Sequence, residues 1–298
     1  MMLTFVLAAV MQAGSLPVQS VVQSGSASSR PRAVMERSTP RSMPRSVPRR
    51  AATPGVARVV IDAGHGGVDP GGPMKLGDRL HEKDVTLQVA LKLGSMLKER
   101  GIEVVYTRTT DTLIALADRG RIANDANGDL FISIHVNAAN PNWKEPSAAR
   151  GFETYFLAEA KTEDAQRVEE MENESVRFET VSNVAPDDPL NFILSDMQQN
   201  EHLRESADLA GIVQRHLSQV HPGPSRGVKQ AGFRVLVTAF MPAVLVEIGF
   251  GTNSPEAEFL SSPSKQRSLA DAIADATMEY LGRHQRRVGG GAASSGHE

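Results

Sequence analysis

Four residues that can bind a metal or move a proton each stand at the end or start of a predicted element of regular structure. His65 follows the apolar run 59–61 within "VVIDAGHGG", and His135 ends the run "LFISIH". Glu82 begins a predicted helix, and Glu247 ends the run "AVLVE". Two imidazoles and one carboxylate are a common ligand set of catalytic zinc, which leaves a fourth position for water. These residue types indicate a metal hydrolase, provided that the fold brings them together.

Each of these residues also has a purely structural interpretation. A histidine near a strand end can serve as a hydrogen-bonded structural residue, and Glu82 can be a helix N-terminal charge favoured by the helix dipole. Glu247 is harder to explain in this way, because a carboxylate after "AVLV" would be buried and would need a partner. The long gaps between the four residues differ from an H-E-x-x-H motif, so spacing alone leaves the zinc hypothesis open. The neighbouring His81 is interpreted as a surface residue.

The elements that must position these residues alternate along the chain. Strand patterns occupy residues 57–62, 102–107, 130–136, 152–157 and 243–248, and helix patterns occupy residues 83–99, 114–126, 201–219 and 264–284. This alternation predicts an α/β fold, a single domain with a mostly parallel twisted sheet covered by helices on both faces. Ligands of such sheets bind beyond the carboxyl ends of the strands, so the four residues are expected at one edge.

Composition excludes several classes of function. The chain has 298 residues, a net charge of −3 and no cysteine. The absence of overall basicity argues against a nucleic-acid partner. The absence of cysteine excludes disulfides and thiolate chemistry, and it is compatible with an oxidising compartment.

The N-terminal segment is typical of an exported protein. Residues 2–14 are mostly apolar and uncharged, too short to span a bilayer, and suit the central region of a signal peptide over residues 1–20. No Lys or Arg precedes this run and no clean A-x-A site follows it, so a buried N-terminal segment is the alternative. We expect an exported protein, periplasmic or associated with the cell wall. No later stretch is apolar enough to predict a transmembrane span.

The segment 21–55 is rich in Ser, Pro and Arg and is predicted to be a disordered linker before a domain at 56–287. The linker is either a solvated tether or a means of electrostatic attachment to an anionic surface. Residues 288–298 are predicted to form a flexible tail.

Six segments, in this order along the chain, resemble one known family. They are "VVIDAGHGGVDPGG", "HEKDVTLQVALKLGSMLKERG", "VVYTRTTDTLIALADRGRIAN", "LFISIHVNAA", "QAGFRVLV" and "AVLVEIGFGTNSPEAEFL". Together they resemble the zinc-dependent N-acetylmuramoyl-L-alanine amidases of the Amidase_3 family. Ala63 stands where many relatives have proline, a change in the loop that leaves the candidate ligands intact.

The resemblance implies a site and a reaction. It implies that Zn²⁺ is held by His65, Glu82 and His135, with Glu247 as the catalytic glutamate. The implied reaction is hydrolysis of the amide bond between N-acetylmuramic acid and L-alanine in peptidoglycan. Two alternatives stay open: a non-catalytic peptidoglycan-binding module on the same fold, and a zinc hydrolase that cuts a peptide bond. The intact set of four residues favours a catalyst.

The segment 161–200 exceeds what a minimal domain needs. It carries ten acidic and three basic residues, and it contains a helical apolar stripe at Leu190, Ile193, Leu194 and Met197. An ordinary surface helix is one interpretation. The chain also resembles cell-division amidases that have an insertion here, in which a helix covers the zinc cleft and a LytM-domain activator removes it. On that hypothesis a carboxylate of the insertion fills the open metal position, and the candidates are Glu169, Glu170, Glu172 and Glu174.

Overall fold

The computed structural model describes residues 56–76, 80–179 and 196–293, all within one compact unit of the chain. The predicted signal peptide (1–20) and linker (21–55) lie outside the described residues, as do Leu190, Ile193 and Leu194 of the predicted apolar stripe. Those predictions are therefore untested by the structure.

Six strands form one sheet in the order β2-β1-β3-β6-β4-β5. Their bounds are β1 Arg58–Ala63, β2 Glu103–Tyr106, β3 Leu130–Asn137, β4 Phe152–Leu157, β5 Ser225–Ala231 and β6 Ala243–Phe250. The first four strands in this order run parallel to one another. β4 is antiparallel to β6 and parallel to β5, so β4 and β5 both run against the other four. The prediction of a mostly parallel sheet is confirmed.

Helices cover both faces of the sheet, as predicted. Their bounds are α1 Glu82–Glu99, α2 Leu116–Asp125, α3 Glu163–Asn173, α4 Asp196–Leu217, α5 Arg234–Val237, α6 Ser254–Ser261 and α7 Pro263–Ala293. Buried residues of α1, α4, α6 and α7 join one hydrophobic cluster, and those of α2, α3 and α5 join a second. Strand alternation sends side chains to both clusters: in β1, Ile61 belongs to the first cluster and Val60 to the second.

Several elements differ from the sequence-based expectation, and the short helices α5 and α6 were not predicted at all. β5 was not predicted because its sequence, "SRGVKQA", is polar and half-exposed at the sheet edge. α3 falls within the segment 161–200, where only the later stripe was predicted to be helical. α7 continues past residue 284 to Ala293 and so enters the stretch predicted as a flexible tail.

Across the part of the chain that the structure describes, every helix is too short or too polar to cross a membrane.

Candidate metal centre

The loop after β1 places His65 over the carboxyl ends of the parallel strands. His65 has a φ of 60°, a left-handed conformation that is unfavourable for any residue with a Cβ. Arg119 of α2 holds this conformation, since its guanidinium donates to the carbonyl oxygens of Ala63 (2.8 Å) and His65 (2.9 Å). Arg119 is itself paired with Asp62 at 2.9 Å in the interior. The folded core therefore stabilises the backbone strain at His65.

The glycine before His65 gives space for the second histidine. A Cβ built on Gly64 would lie 2.5 Å from Cε1 of the His135 ring, closer than real contacts allow. The two imidazole rings stand edge to face with their centroids 4.9 Å apart. Only glycine at position 64 permits this approach of β1's loop to the end of β3.

Glu82 reaches the same point from the first residue of α1. One carboxylate oxygen accepts a hydrogen bond from the backbone N–H of Val136 (2.7 Å), and the other accepts one from Gly72 (2.6 Å). Glu82 Oε1 lies 3.1 Å from His65 Nε2 and 3.5 Å from His135 Nδ1. These contacts fix a fully buried carboxylate beside both histidines.

A fourth ligand-type residue completes the group, and it comes from α3. Glu172 Oε2 lies 2.6 Å from His135 Nδ1 and 3.1 Å from His65 Nε2. One ligand-type atom from each of the four side chains lies within 4.8 Å of the others, and all four residues are buried. Among the described residues, His65 Nε2, His135 Nδ1 and both Glu172 oxygens lack a partner in hydrogen-bond geometry.

These orphaned atoms and their chemistry fit a metal ion. Their lone pairs converge on one point without satisfying one another, which buried polar atoms otherwise avoid. Imidazole nitrogens and carboxylate oxygens are usual zinc ligands. His65, Glu82, His135 and Glu172 are therefore a buried group that could hold a metal.

The electrostatics of the group also favour a cation. Burial lowers the pKa of His135, but the Glu172 and Glu82 carboxylates together outweigh burial and raise it to about 10. Burial likewise lowers the pKa of His65, and the charges of Glu82 and Glu172 raise it well above its ordinary value. Burial raises the pKa of Glu82, but His65 and His135 hold it far below its usual range. Positive charge between these side chains is thus stabilised, as a metal site requires.

A polar pair outside the group orients His65. His65 Nδ1 lies 2.8 Å from Asp69 Oδ2, and the Ser175 hydroxyl donates to the same oxygen at 2.7 Å. A carboxylate on Nδ1 fixes the tautomer that leaves Nε2 free for a metal. Sequence reasoning did not single out Asp69, whose only signal is a position four residues after His65. Ser175 lies in a short 3-10 helix that follows α3.

Glu247 lies next to His135, since the two residues are paired in the register of β3 and β6. Its side chain is fully buried, and neither carboxylate oxygen has a hydrogen-bond partner among the described residues. Burial raises the pKa of Glu247 well above its ordinary value, the Glu172 charge adds to this increase, and His135 opposes it. A proton-accepting carboxylate thus lies at the edge of the metal-binding group.

The structure separates the four candidate carboxylates of the segment 161–200. Glu172 joins the metal-binding group, whereas Glu169 accepts a hydrogen bond from the N–H of Gly232 at 2.8 Å. Glu170 and Glu174 lie near Gln166 and Arg177 on the solvent side. Helical spacing could have found Glu172, because Ala165, Val168 and Glu172 form one buried stripe of α3.

Comparison with known proteins identifies the family. Residues 59–279 match the Amidase_3 family, described as N-acetylmuramoyl-L-alanine amidase. The chain belongs to this family. It is 34% identical over 225 residues to the N-acetylmuramoyl-L-alanine amidase AmiA of Escherichia coli, which is 75% of each chain.

Solved structures of Amidase_3 relatives share the fold. The N-acetylmuramoyl-L-alanine amidase of Clostridium difficile 630 has a TM-score of 0.57 and 32% identity, over 76% of this chain and 97% of that one. AmiC2 of Nostoc punctiforme has a TM-score of 0.55 and 28% identity, over 76% of this chain and 97% of that one. Membership in Amidase_3 makes the protein an amide hydrolase that acts on peptidoglycan, and it favours the catalytic interpretation over a non-catalytic binding module.

Proposed function

We propose that this amidase is an exported zinc enzyme that cleaves the bond between N-acetylmuramic acid and L-alanine at the His65–Glu82–His135 group. The observation that carries the proposal is that buried ligand atoms without a hydrogen-bond partner in the part of the chain that the structure describes converge beside Glu247, whose carboxylate also lacks one there. His65 Nε2, His135 Nδ1 and Glu82 would hold the metal. When bound, zinc supplies a Lewis acid that lowers the pKa of water and polarises the amide carbonyl.

Glu247 is the proposed general base. Its carboxylate accepts a proton from the attacking water, whose oxygen forms a bond to the carbonyl carbon. The C–N bond then breaks, and Glu247 returns the proton to the amine nitrogen of L-alanine. Burial and the raised pKa of Glu247 suit this role, because a carboxylate with an ordinary pKa is a weak base at neutral pH.

Asp69 is proposed as a positioning residue for His65. Its carboxylate keeps the proton of the imidazole on Nδ1, so that Nε2 points its lone pair at the metal. Arg119 supports the same ligand from the backbone side through the His65 carbonyl.

Helix α3 is proposed to restrain the enzyme. Glu172 takes the position next to the ligands that a substrate oxygen or water needs during catalysis. A tethered carboxylate has a high effective concentration at such a position. An activator that binds the uncovered state better than the covered one would release the site, and a LytM-domain protein is the proposed activator. The segment 1–20 is the proposed export signal, with function in the periplasm or the cell wall.

Two measurements on the purified protein test the assignment together. Elemental analysis should find one zinc per chain, and mass spectrometry of digested peptidoglycan should find stem peptides with a free L-alanine amine. Cleavage within the stem peptide instead would favour the alternative in which the enzyme cuts a peptide bond. A Glu172→Gln protein, in which the proposed restraint is weakened, that binds peptidoglycan and zinc without releasing peptide would contradict the catalytic proposal.

A further inference from the structure

Two cations of β5 are shared between two carboxylates, of which Glu153 neighbours Glu247 in the sheet. Arg226 donates to Glu153 at 2.9 Å and to Asp164 at 3.0 Å. Lys229 also contacts Glu153, and it donates to Asp164 at 2.8 Å. Both cationic side chains are at least three-quarters buried, at 25% and 18% exposure. Hydrogen-bonded charges removed from water to this degree interact more strongly than surface pairs.

The two carboxylates differ in how firmly they are placed. Glu153 belongs to β4, is fully buried, and is paired in register with Glu247 of β6. It also accepts hydrogen bonds from Asn137 (2.6 Å) and Tyr155 (2.8 Å), so it is part of the sheet's fixed interior. Asp164 belongs to the first turn of α3. If α3 leaves the site, Asp164 leaves with it, and two cations remain beside one carboxylate.

Helix α3 therefore brings two carboxylates to the site at a defined separation. Glu172 contacts the metal-binding histidines, and Asp164 contacts the cations of β5. Eight residues of α-helix span about 12 Å, at a rise of about 1.5 Å per residue. An extended peptide covers that distance in three to four residues, at about 3.3–3.6 Å each. A peptide whose cut bond lies at the metal can thus place a carboxylate on Arg226 and Lys229.

We propose that Arg226 and Lys229 form a subsite for a carboxylate of the stem peptide, three to four residues beyond the scissile amide. Asp164 occupies this subsite while α3 covers the site. The inference rests on the proposed amidase function, and it gives the direction in which the peptide lies, across β6 and β4 toward β5. The contrasting interpretation is that these ion pairs only fasten α3 to the sheet.

A crossed comparison of variants and substrates separates these interpretations. The substrates are two muramoyl tetrapeptides of the same sequence, with the C-terminal carboxylate of the fourth residue either free or converted to a carboxamide. With the full-length, zinc-loaded protein, the free carboxylate should give a KM lower by about threefold to tenfold, the scale of one ordinary net hydrogen bond. Asp164→Asn should lower KM further for the free carboxylate only. Glu163→Gln, an exposed charge change on the same turn, is the matched control.

The cations are tested by removal and rescue. Lys229→Gln leaves Arg226 to neutralise Glu153 and should abolish the preference for the free carboxylate, whereas Lys229→Arg should restore it. Thermal unfolding of each variant shows whether the fold is retained. If Asp164→Asn lowers KM equally for both substrates, the ion pairs only fasten α3 to the sheet, and the subsite would be rejected. Equal KM values for both substrates in the wild type and in Asp164→Asn would reject it as well.

Equilibrium binding keeps the subsite test independent of turnover. Both peptides are titrated into the full-length Glu247→Gln protein by calorimetry, and the free carboxylate should bind about threefold to tenfold more tightly. A preference in binding with no cleavage by the wild type would contradict the proposed function and retain the subsite. Cleavage by the wild type with no preference in binding would support the proposed function and reject the subsite.

Discussion

The strand-end side of the site and the α3 helix above it differ in what holds them in place. All eight residues of β3 and all eight of β6 are buried, and His135 and Glu247 sit within these strands. α3 buries only two apolar side chains, Ala165 and Val168, together with Glu172. Its remaining attachments are the partly buried Met171 and polar contacts such as Asp164 to Lys229 and Glu169 to Gly232.

This difference has a consequence for motion. The strand ends can change place only if the core unfolds, because their apolar neighbours on both sides of the sheet would be exposed. The polar contacts of α3 can be exchanged for contacts with water, substrate or a partner at a small net cost each. We expect α3 to detach at a free energy well below that of global unfolding. Mutations on the two sides should therefore have opposite effects on amide hydrolysis. Those at the strand ends should lower its rate, and those in α3 should raise it.

The largest expected effect is the loss of a strand-end ligand. His135→Ala should remove bound zinc and reduce amide hydrolysis to the level of the chelator-treated protein, because the metal loses one of its fixed ligands. Metal content and peptidoglycan hydrolysis are measured on the same sample. His216→Ala is the matched control, since His216 of α4 pairs with Glu279 of α7 at 2.7 Å. Full zinc occupancy in His135→Ala would refute the ligand assignment.

The next largest expected effect is a loss of turnover without loss of zinc, on replacement of Glu247. Glu247→Gln keeps the shape of the side chain and removes its basicity, so turnover should fall by at least about 10²-fold. Zinc content should stay at the wild-type level, because Glu247 is not proposed as a ligand. Steady-state hydrolysis and elemental analysis give the two values. Near-normal turnover would assign the base to another residue.

A gain of activity is expected on the α3 side. Glu172→Gln weakens the contact with both histidines and should raise basal hydrolysis by roughly tenfold, the scale of one hydrogen bond to a charged group. Glu170→Gln removes a charge from the solvent side of the same helix and should leave the rate unchanged. Both variants are compared without an activator and at equal zinc content. A Glu172→Gln protein no faster than Glu170→Gln would show that α3 does not restrain the enzyme.

The smallest expected effect is a pH dependence of the free energy of unfolding, caused by the buried His221. Burial lowers the pKa of His221 to about 4, below the ordinary value of 6.5, and its Nδ1 accepts a hydrogen bond from Gly223 at 2.9 Å. Between these two pH values the unfolded chain binds a proton that the folded protein does not, so stability falls as pH falls from 6.5 to 4. The loss should be about 1–3 kcal/mol, from about 1.4 kcal/mol for each pKa unit.

Denaturant unfolding at pH 7 and pH 4.5 measures this loss, with His221→Gln as the comparison. The variant should lose less stability between the two pH values than the wild type, whatever its stability at pH 7. An equal loss in both proteins would place the pH dependence elsewhere.

Sequence patterns predicted the elements that are apolar throughout or periodic. β1, β3 and β6 are runs of branched apolar residues that only a doubly covered sheet can bury, and α1 repeats apolar residues at helical spacing. β5 escaped prediction because an edge strand needs no apolar pattern, and α3 because its many acidic residues conceal a short buried stripe. Apolar sequence patterns arise from burial, so elements that bury few side chains have weak patterns and are harder to predict.

The sequence by itself determined that His65, His135 and Glu247 lie near the carboxyl ends of strands and that Glu82 opens a helix, because strand and helix periods place them there. Tertiary structure alone decided that Asp69 contacts His65, that Glu153 lies beside Glu247, and that α3 places Glu172 among the histidines. Those contacts join residues whose positions depend on loop path, strand order and helix rotation. No local pattern encodes these three quantities, since each is set by how the whole chain packs.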